Sequence, residues 1–157
     1  MPDTDLYETD FYAWTQAQAT LMRDRQWHQL DLPNLIEEIE SLGKQQRQEL
    51  RNRLAILISH LLKWEYQPQK RSRSWLLTVQ IQRLDTLELL EENPSLKAYL
   101  VEGLDKAYGK AVKLAAQETT LSANTFPPEC PYRLEEILSD RFYPGDPTHL
   151  LEETDND

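Results

Sequence analysis

The feature of the sequence that most constrains its fold is an unbroken stripe of residues, mostly apolar, that recurs every three or four positions. Its members are Leu35, Ile39, Leu42, Gln46, Leu50, Leu54, Leu57, Leu61 and Trp64. This spacing places all of them on one side of an α-helix. Asp31 stands near the cap position and Pro33 suits a first turn, so one helix from Pro33 to about Tyr66 is predicted. Gly43 keeps the phase, although a glycine there could kink the helix.

A shorter amphipathic stretch precedes the long helix. It is predicted to be helical from Asp10 to about Arg25, because the side chain of Thr9 or Asp10 can accept hydrogen bonds from the first turn. Its apolar positions are spaced for one face and are Phe11, Trp14, Ala17, Leu21 and Met22.

Two more helices are predicted after the long one. Pro68 ends the long helix, because the residue before a proline is forced out of the helical conformation. A helix over residues 74–92 follows, and its stripe is Leu77, Ile81 and Leu84, with Leu76, Leu87 and Leu90 beside it. Asn93 as a cap and Pro94 in the first turn predict a last long helix that ends near residue 118.

The helical pattern stops after Thr120. Three prolines exclude a helix over residues 126–131, so an extended strap anchored by Phe126 is predicted, followed by a short helix over 132–139. Residues 142–144 offer a last anchor.

Together these elements indicate an all-α fold, since no run of residues alternates with the period of a strand. We expect an antiparallel bundle of four main helices, a Pro-rich extended strap and a short C-terminal helix. Residues 1–145 should form one domain. Residues 146–157 should form an acidic, poorly ordered tail, because they carry five acids and few apolar anchors.

The charges are unevenly placed. The whole chain has 27 acidic and 17 basic residues, a net charge of −10. Residues 44–83, however, carry nine bases against two acids, a local net charge of +7. This excess permits a polyanionic partner, which the total charge alone would argue against. The alternative is that these bases pair with acidic helices elsewhere in the fold.

The candidate functional site is a cluster of bases and aromatic rings where the long helix meets the next one. Its members, named here the basic aromatic corner, are His60, Lys63, Trp64, Tyr66, Lys70, Arg71, Arg73 and Trp75. Guanidinium groups bind phosphates or carboxylates, and aromatic rings stack on bases or on side chains of a partner. We therefore expect contact with a macromolecule, a protein first and nucleic acid as the alternative. The competing interpretation is that the tryptophans seal the bundle end while Arg71 and Arg73 cap carbonyls.

Motifs for catalysis are missing from the sequence. There is no phosphate loop, no Gly-x-Ser-x-Gly and no His-Glu-x-x-His, and Leu57 stands where a dimetal bundle needs a Glu three residues before His60. We predict no catalytic residue, no cofactor and no bound metal. Two alternatives stay open. One is an enzyme or metal-binding bundle that uses His60 with Glu37, Glu38 or Glu65. The other is an antitoxin-like protein that masks a basic partner.

Location is indicated by features of the whole chain. No apolar run approaches the length of a membrane-spanning helix, and the N-terminus is acidic where a signal peptide would be basic and then apolar. The single cysteine excludes an internal disulfide. A soluble cytoplasmic protein without membrane association is expected.

Several blocks of the sequence resemble the bacterial family catalogued as domain of unknown function 29, which is common in cyanobacteria. The blocks that carry the resemblance are, in order, residues 7–14, 35–43, 60–68, 71–75, 94–96 and 126–132. The resemblance spans residues from Tyr7 to about Pro144, nearly the whole chain. The resemblance implies a compact helical bundle, but it implies no activity and supplies no catalytic residues.

Overall fold

The computed structural model describes residues 4–152. These residues form α-helices, 3-10 turns and loops, and they contain no β-strand. The α-helices are α1 (Thr4–Thr9), α2 (Phe11–Arg23), α3 (Leu32–Tyr66), α4 (Arg73–Glu92), α5 (Leu100–Thr119), α6 (Leu134–Leu138) and α7 (His149–Glu152). Short 3-10 turns lie at Trp27–Gln29, Pro68–Lys70, Pro94–Tyr99 and Ala123–Thr125. The chain is thus an all-α helical bundle with four long helices, as predicted. None of the described helices is both long and apolar enough to span a membrane.

The described residues divide into two compact units, one up to Gln46 and the other from Arg47 onward. Helix α3 is continuous through Gly43 and contributes to both units. This confirms the single long helix that the stripe of residues predicts.

The first unit is built around the indole of Trp14. Asp10 caps α2, its Oδ1 accepting from the amide of Ala13 at 3.0 Å. The Nε1 of Trp14 donates to Asp31 at 3.0 Å, and the amide of Asp31 donates to Gln18 at 2.9 Å. A further short helix, α1, precedes the cap and was not predicted, and its Tyr7 packs edge-on against Trp14.

The face predicted for α2 is only partly buried. Trp14 and Gln18 are its buried residues, whereas Phe11 is 48 % and Met22 38 % exposed. The polar Gln18 takes an inner position because its carbonyl accepts a backbone hydrogen bond there, which the apolar periodicity cannot show.

The second unit is centred on the second half of α3. Its fully buried side chains include Leu50, Leu54, Leu57, Ile58, Leu61, Leu62 and Trp64. Small residues of α5, Ala107, Ala111 and Ala115, pack into the same core. Phe126 of the strap, Tyr132 just after it and Ile137 of α6 close this core, all at most 6 % exposed.

Helix α4 presents a different side to the core from the predicted one. Its buried residues are Leu76, Val79, Arg83, Thr86, Leu89 and Leu90. The predicted stripe of Leu77, Ile81 and Leu84 lies on the outside, 55 %, 43 % and 67 % exposed. The prediction was wrong because Arg83 and Thr86 occupy inner positions that an apolar pattern assigns to the surface.

The last long helix begins later than predicted. Residues 94–99 form a 3-10 turn, and α5 starts at Leu100. Asn93 does not cap this segment, because its side-chain amide donates back to the carbonyl of Leu89 at 3.1 Å and closes α4 instead. Helix α5 ends at Thr119, and Thr120 follows in the left-handed conformation with φ 61°.

The predicted strap is confirmed over residues 126–131, which contain no helix. Phe126 anchors it edge-on against Tyr66 with ring centroids 5.1 Å apart. The short helix expected over 132–139 is α6. Of the predicted tail, residues 149–152 form α7, while residues 153–157 lie outside the described part of the chain.

Candidate functional site

The basic aromatic corner is formed by the end of α3, the Pro68–Lys70 turn and the start of α4. Pro68 interrupts α3, and Ser72 then caps α4 by accepting from the amide of Trp75 at 3.2 Å. The direction of the chain therefore reverses over a few residues, which brings the end of one helix next to the start of the other.

Lys63 is the innermost charge of this corner. Its side chain is 4 % exposed and its ammonium group forms an ion pair with Glu118 of α5. The same Nζ lies 4.8 Å from the centre of the Trp75 ring. Lys63 therefore binds within the fold, and its charge is matched by a carboxylate 55 residues later in the sequence.

His60 completes this buried group. Its Nδ1 lies 3.0 Å from the carbonyl of Ile56, which fits an Nδ1–H that donates, and its Nε2 lies 3.4 Å from the Nζ of Lys63. Burial lowers the pKa of His60, and the charge of Lys63 adds to this, while the carbonyl of Ile56 and the carboxylate of Glu118 oppose it. This lowered pKa favours the neutral form of the ring.

Arg71 ties the end of α3 to the segment after the strap. Its Nε donates to the carbonyl of Trp64 at 2.7 Å, and its Nη1 donates to that of Asp146 at 2.6 Å. Its guanidinium also lies 5.0 Å from the centre of the Trp64 ring. Gly145 makes this approach possible, because a Cβ there would lie 2.8 Å from an Arg71 nitrogen. Burial lowers the pKa of Arg71.

The remaining members of the corner divide between core and surface. Trp64 is fully buried and stacks at a tilt on Tyr143, with centroids 5.3 Å apart. Tyr66 is half-buried against Phe126, and Trp75 is half-buried. Lys70 and Arg73 are exposed. The structure thus brings His60, Lys63 and Trp75 together, places Trp64 with Arg71, and leaves two cations at the surface.

Of the three carboxylates proposed to accompany His60, Glu37 is exposed, and the other two have other contacts. Glu38 accepts from the hydroxyl of Tyr7 in the first unit, and Glu65 accepts from that of Tyr132. The carboxylate in the group around His60 is Glu118, which the sequence did not single out. In the described part of the chain, no three His, Cys, Asp or Glu side chains are placed to hold a metal ion.

The outer face of α4 is the surface that sequence reasoning missed. Arg73, Leu77, Ile81 and Leu84 follow one another at helical spacing on this face, and all are exposed. Trp75 and Lys70 lie at its beginning. The signal that could have revealed it is the second apolar phase of α4, through Leu76, Val79 and Leu90, which competes with the first.

The comparisons with known proteins give one result. No curated protein and no solved structure matches the chain. Residues 6–143 match the family described as Domain of unknown function DUF29. Because the match covers most of the sequence and includes both units, the chain belongs to this family of domains of unknown function.

Proposed function

We propose that this protein is a non-enzymatic interaction protein that binds an amphipathic helix of a protein partner along the outer face of α4. The observation that carries the proposal is the exposed stripe of Leu77, Ile81 and Leu84. Its spacing is that of the anchor positions through which helices recognise one another. An exposed apolar stripe of this kind on a folded domain is typical of a contact surface.

The charges at the two ends of α4 support the same function. Arg73 lies in its first turn, and Glu91 and Glu92 lie in its last, and all three are exposed. This order opposes the helix dipole, which favours acids at the N-terminus and bases at the C-terminus by about 0.3–1 kcal/mol each. A partner helix with bases near Glu91 and Glu92 would compensate the C-terminal end of α4.

The internal contacts of the basic residues favour a protein over a nucleic acid as the partner. Internal contacts engage at least six of the nine bases in residues 44–83, namely Arg47, Arg51, Arg53, Lys63, Arg71 and Arg83. Tight nucleic-acid binding depends on many cations that contact phosphates. Lys70 is exposed next to the start of α4 and its apolar stripe, and a single cation beside an apolar surface suits a peptide better than a polyanion.

The experiment uses wild type and two variants as baits in cell extract from the native host. The variant with Leu77→Glu and Leu84→Glu should lose the partner, because it places charges on the stripe. The control is Val101→Glu, since Val101 is 66 % exposed, as Leu84 is 67 %, but belongs to α5. A protein retained by wild type and by the control, and lost from the α4 variant, supports the proposal. Its binding segment should then be helical and bind α4 as an isolated peptide.

Two outcomes contradict this function. One is a partner that binds wild type and the α4 variant equally, which places the contact elsewhere. The other is tight, salt-sensitive binding of a synthetic single- or double-stranded oligonucleotide that is lost with Lys70→Gln and Arg73→Gln. That result would replace the peptide with a polyanion.

A further inference from the structure

The stripe of α3 that forms the core after Leu50 continues in phase along the first half of the helix, where it is exposed. Leu32 is 54 %, Ile36 53 %, Ile39 66 % and Leu42 60 % exposed. These four side chains present roughly 400 Å² of apolar surface, the size of patch that often marks a contact site on a monomer. The side of α3 that is fully buried in one half is thus open in the other.

The charges beside this stripe change sign along the helix. Glu37 and Glu40 are followed by Lys44 and Arg47, and all four are exposed. Two copies of α3 that pair antiparallel about a two-fold axis near Leu42 would place Glu40 of one copy opposite Lys44 of the other. The same axis places Glu37 opposite Arg47. The surface is therefore complementary to itself in charge, which an interface between identical copies requires.

A glycine lies at the centre of this face. A Cβ on Gly43 would have no heavy atom within 4 Å, so the backbone of α3 is open to a neighbour at this point. The distance between two packed helices depends on the side chains at their contact, and a glycine permits the shortest one.

Arg47 stacks over the ring of Tyr99 at 4.6 Å, which limits the freedom of its guanidinium near the stripe.

We infer that a second copy of this chain binds antiparallel along residues 32–47 of α3. This surface differs from the face of α4 in the proposed function. A parallel pair would place the charged flanks of the two copies at opposite edges of the interface, so it would form neither of these two charge pairs. The antiparallel pair buries roughly 800 Å² of apolar surface before the flanking polar groups are counted, below the lower limit of about 1,200 Å² for stable specific interfaces. The dimer should therefore depend on concentration.

The first test is sedimentation of the full chain at micromolar to millimolar concentrations. Wild type should form a dimer, and Ile39→Glu should weaken it by about tenfold or more, because a buried charge opposes association. Val101→Glu is the matched control, since both side chains are 66 % exposed and only one lies on the stripe. A wild-type monomer at every concentration, or a dimer that Ile39→Glu leaves intact, would overturn the inference.

The second test reverses charges. Glu40→Lys places two cations opposite each other in the dimer and should weaken it, whereas Glu40→Lys combined with Lys44→Glu should restore it in both copies. Helix content by circular dichroism should stay the same in each variant. If the double variant is as weak as the single one, the antiparallel register is wrong.

The third test fixes the orientation by disulfide formation in a Cys130→Ser background. Leu42→Cys lies next to the proposed axis and should yield a covalent dimer on mild oxidation. Leu32→Cys should not, because an antiparallel pair separates the two residues by about 30 Å. Efficient cross-linking through Leu32→Cys would show a parallel pair and overturn the inference.

Discussion

Lys63 and Glu118 form an ion pair between α3 and α5 in which the two charges are buried to very different extents. The side chain of Lys63 is 4 % exposed and that of Glu118 is 47 % exposed. The carboxylate therefore keeps much of its hydration, whereas the ammonium group has exchanged water for the carboxylate, His60 and the face of Trp75. The cation depends on this pair more than the anion does.

This asymmetry predicts unequal effects of removing the two partners. Glu118→Gln leaves a buried ammonium group without its counter-charge and should lower the free energy of unfolding by about 1–2 kcal/mol, less than for a fully buried pair because Glu118 is half exposed. Lys63→Met removes the buried charge and keeps the length of the side chain, so its cost should be smaller. Urea denaturation of both variants measures the difference. A larger loss for Lys63→Met than for Glu118→Gln would contradict the argument.

The lowered pKa of His60 predicts how stability depends on pH. The ordinary value is 6.5, and burial lowers it in the folded chain. Below pH 6.5 the unfolded chain therefore binds a proton that the folded chain binds less readily, and stability falls as the pH decreases toward the folded-state pKa. Well above pH 6.5 His60 is neutral in both the folded and the unfolded chain, so its titration no longer lowers the free energy of unfolding.

The measurement is the free energy of unfolding of wild type and His60→Asn between pH 5 and 8. The amide of asparagine can replace the Nδ1–H donor to Ile56 but does not titrate. The variant should lose stability less steeply on acidification, whatever its stability at pH 8. Equal slopes for the two proteins would show that His60 titrates alike in both states.

Substitutions of Arg71 and Arg73 should have very different effects on the free energy of unfolding, although both residues belong to the basic aromatic corner. Arg71→Gln removes donors to the carbonyls of Trp64 and Asp146 and should cost about 2 kcal/mol in free energy of unfolding. Arg71→Lys should not restore it, because an ammonium group lacks the planar fork. Arg73→Gln, at an exposed position, should change stability by less than about 0.5 kcal/mol. Thermal and urea unfolding measure both variants. Equal losses of stability for Arg71→Gln and Arg73→Gln would contradict the prediction.

Replacement by alanine should change the stability of the protein in opposite directions at two glycines. Gly145 has φ +84°, and a Cβ would lie 2.8 Å from an Arg71 nitrogen, so Gly145→Ala should destabilise by about 1–2 kcal/mol. Gly43 lies within α3 with open space around it, so Gly43→Ala should stabilise the monomer by roughly 0.5–1 kcal/mol. Both changes are measured by denaturation at low protein concentration. A stabilised Gly145→Ala would contradict the close approach of Arg71.

Much of the bundle follows from local patterns in the sequence. The stripe from Leu35 to Trp64 predicts α3, because a repeat of three or four residues over thirty positions fits an α-helix and no other regular secondary structure. Asp10 marks the start of α2, and the prolines between Phe126 and Pro131 predict the strap. Each of these signals acts through neighbours along the chain, such as a cap, a first-turn proline or a helical period. The basic aromatic corner was likewise visible as a cluster of residue types.

The role of each residue in that corner required the tertiary structure. The sequence offered Lys63 as a surface cation, and it offered carbonyl capping by Arg71 only as the competing interpretation. Their distant partners are Glu118 and the carbonyls of Pro144 and Asp146, 55 to 75 residues away. No local pattern encodes a contact at such a distance. The same limit explains the exposed stripe of Leu32, Ile36 and Ile39, which is identical in pattern to the buried half of α3.

The sequence by itself therefore determined the four long helices and most of their ends to within a few residues, although it missed α1 and α7 and placed the start of the last long helix too early. Only the tertiary structure decided which side of a helix faces inward. Arg83 shows the reason most clearly. Its Nε donates to the carbonyl of Ile137 at 2.8 Å and its Nη2 to that of Phe142 at 2.6 Å. A buried charge is tolerated where distant backbone groups satisfy it, and that satisfaction turns α4 so that Leu77, Ile81 and Leu84 face outward.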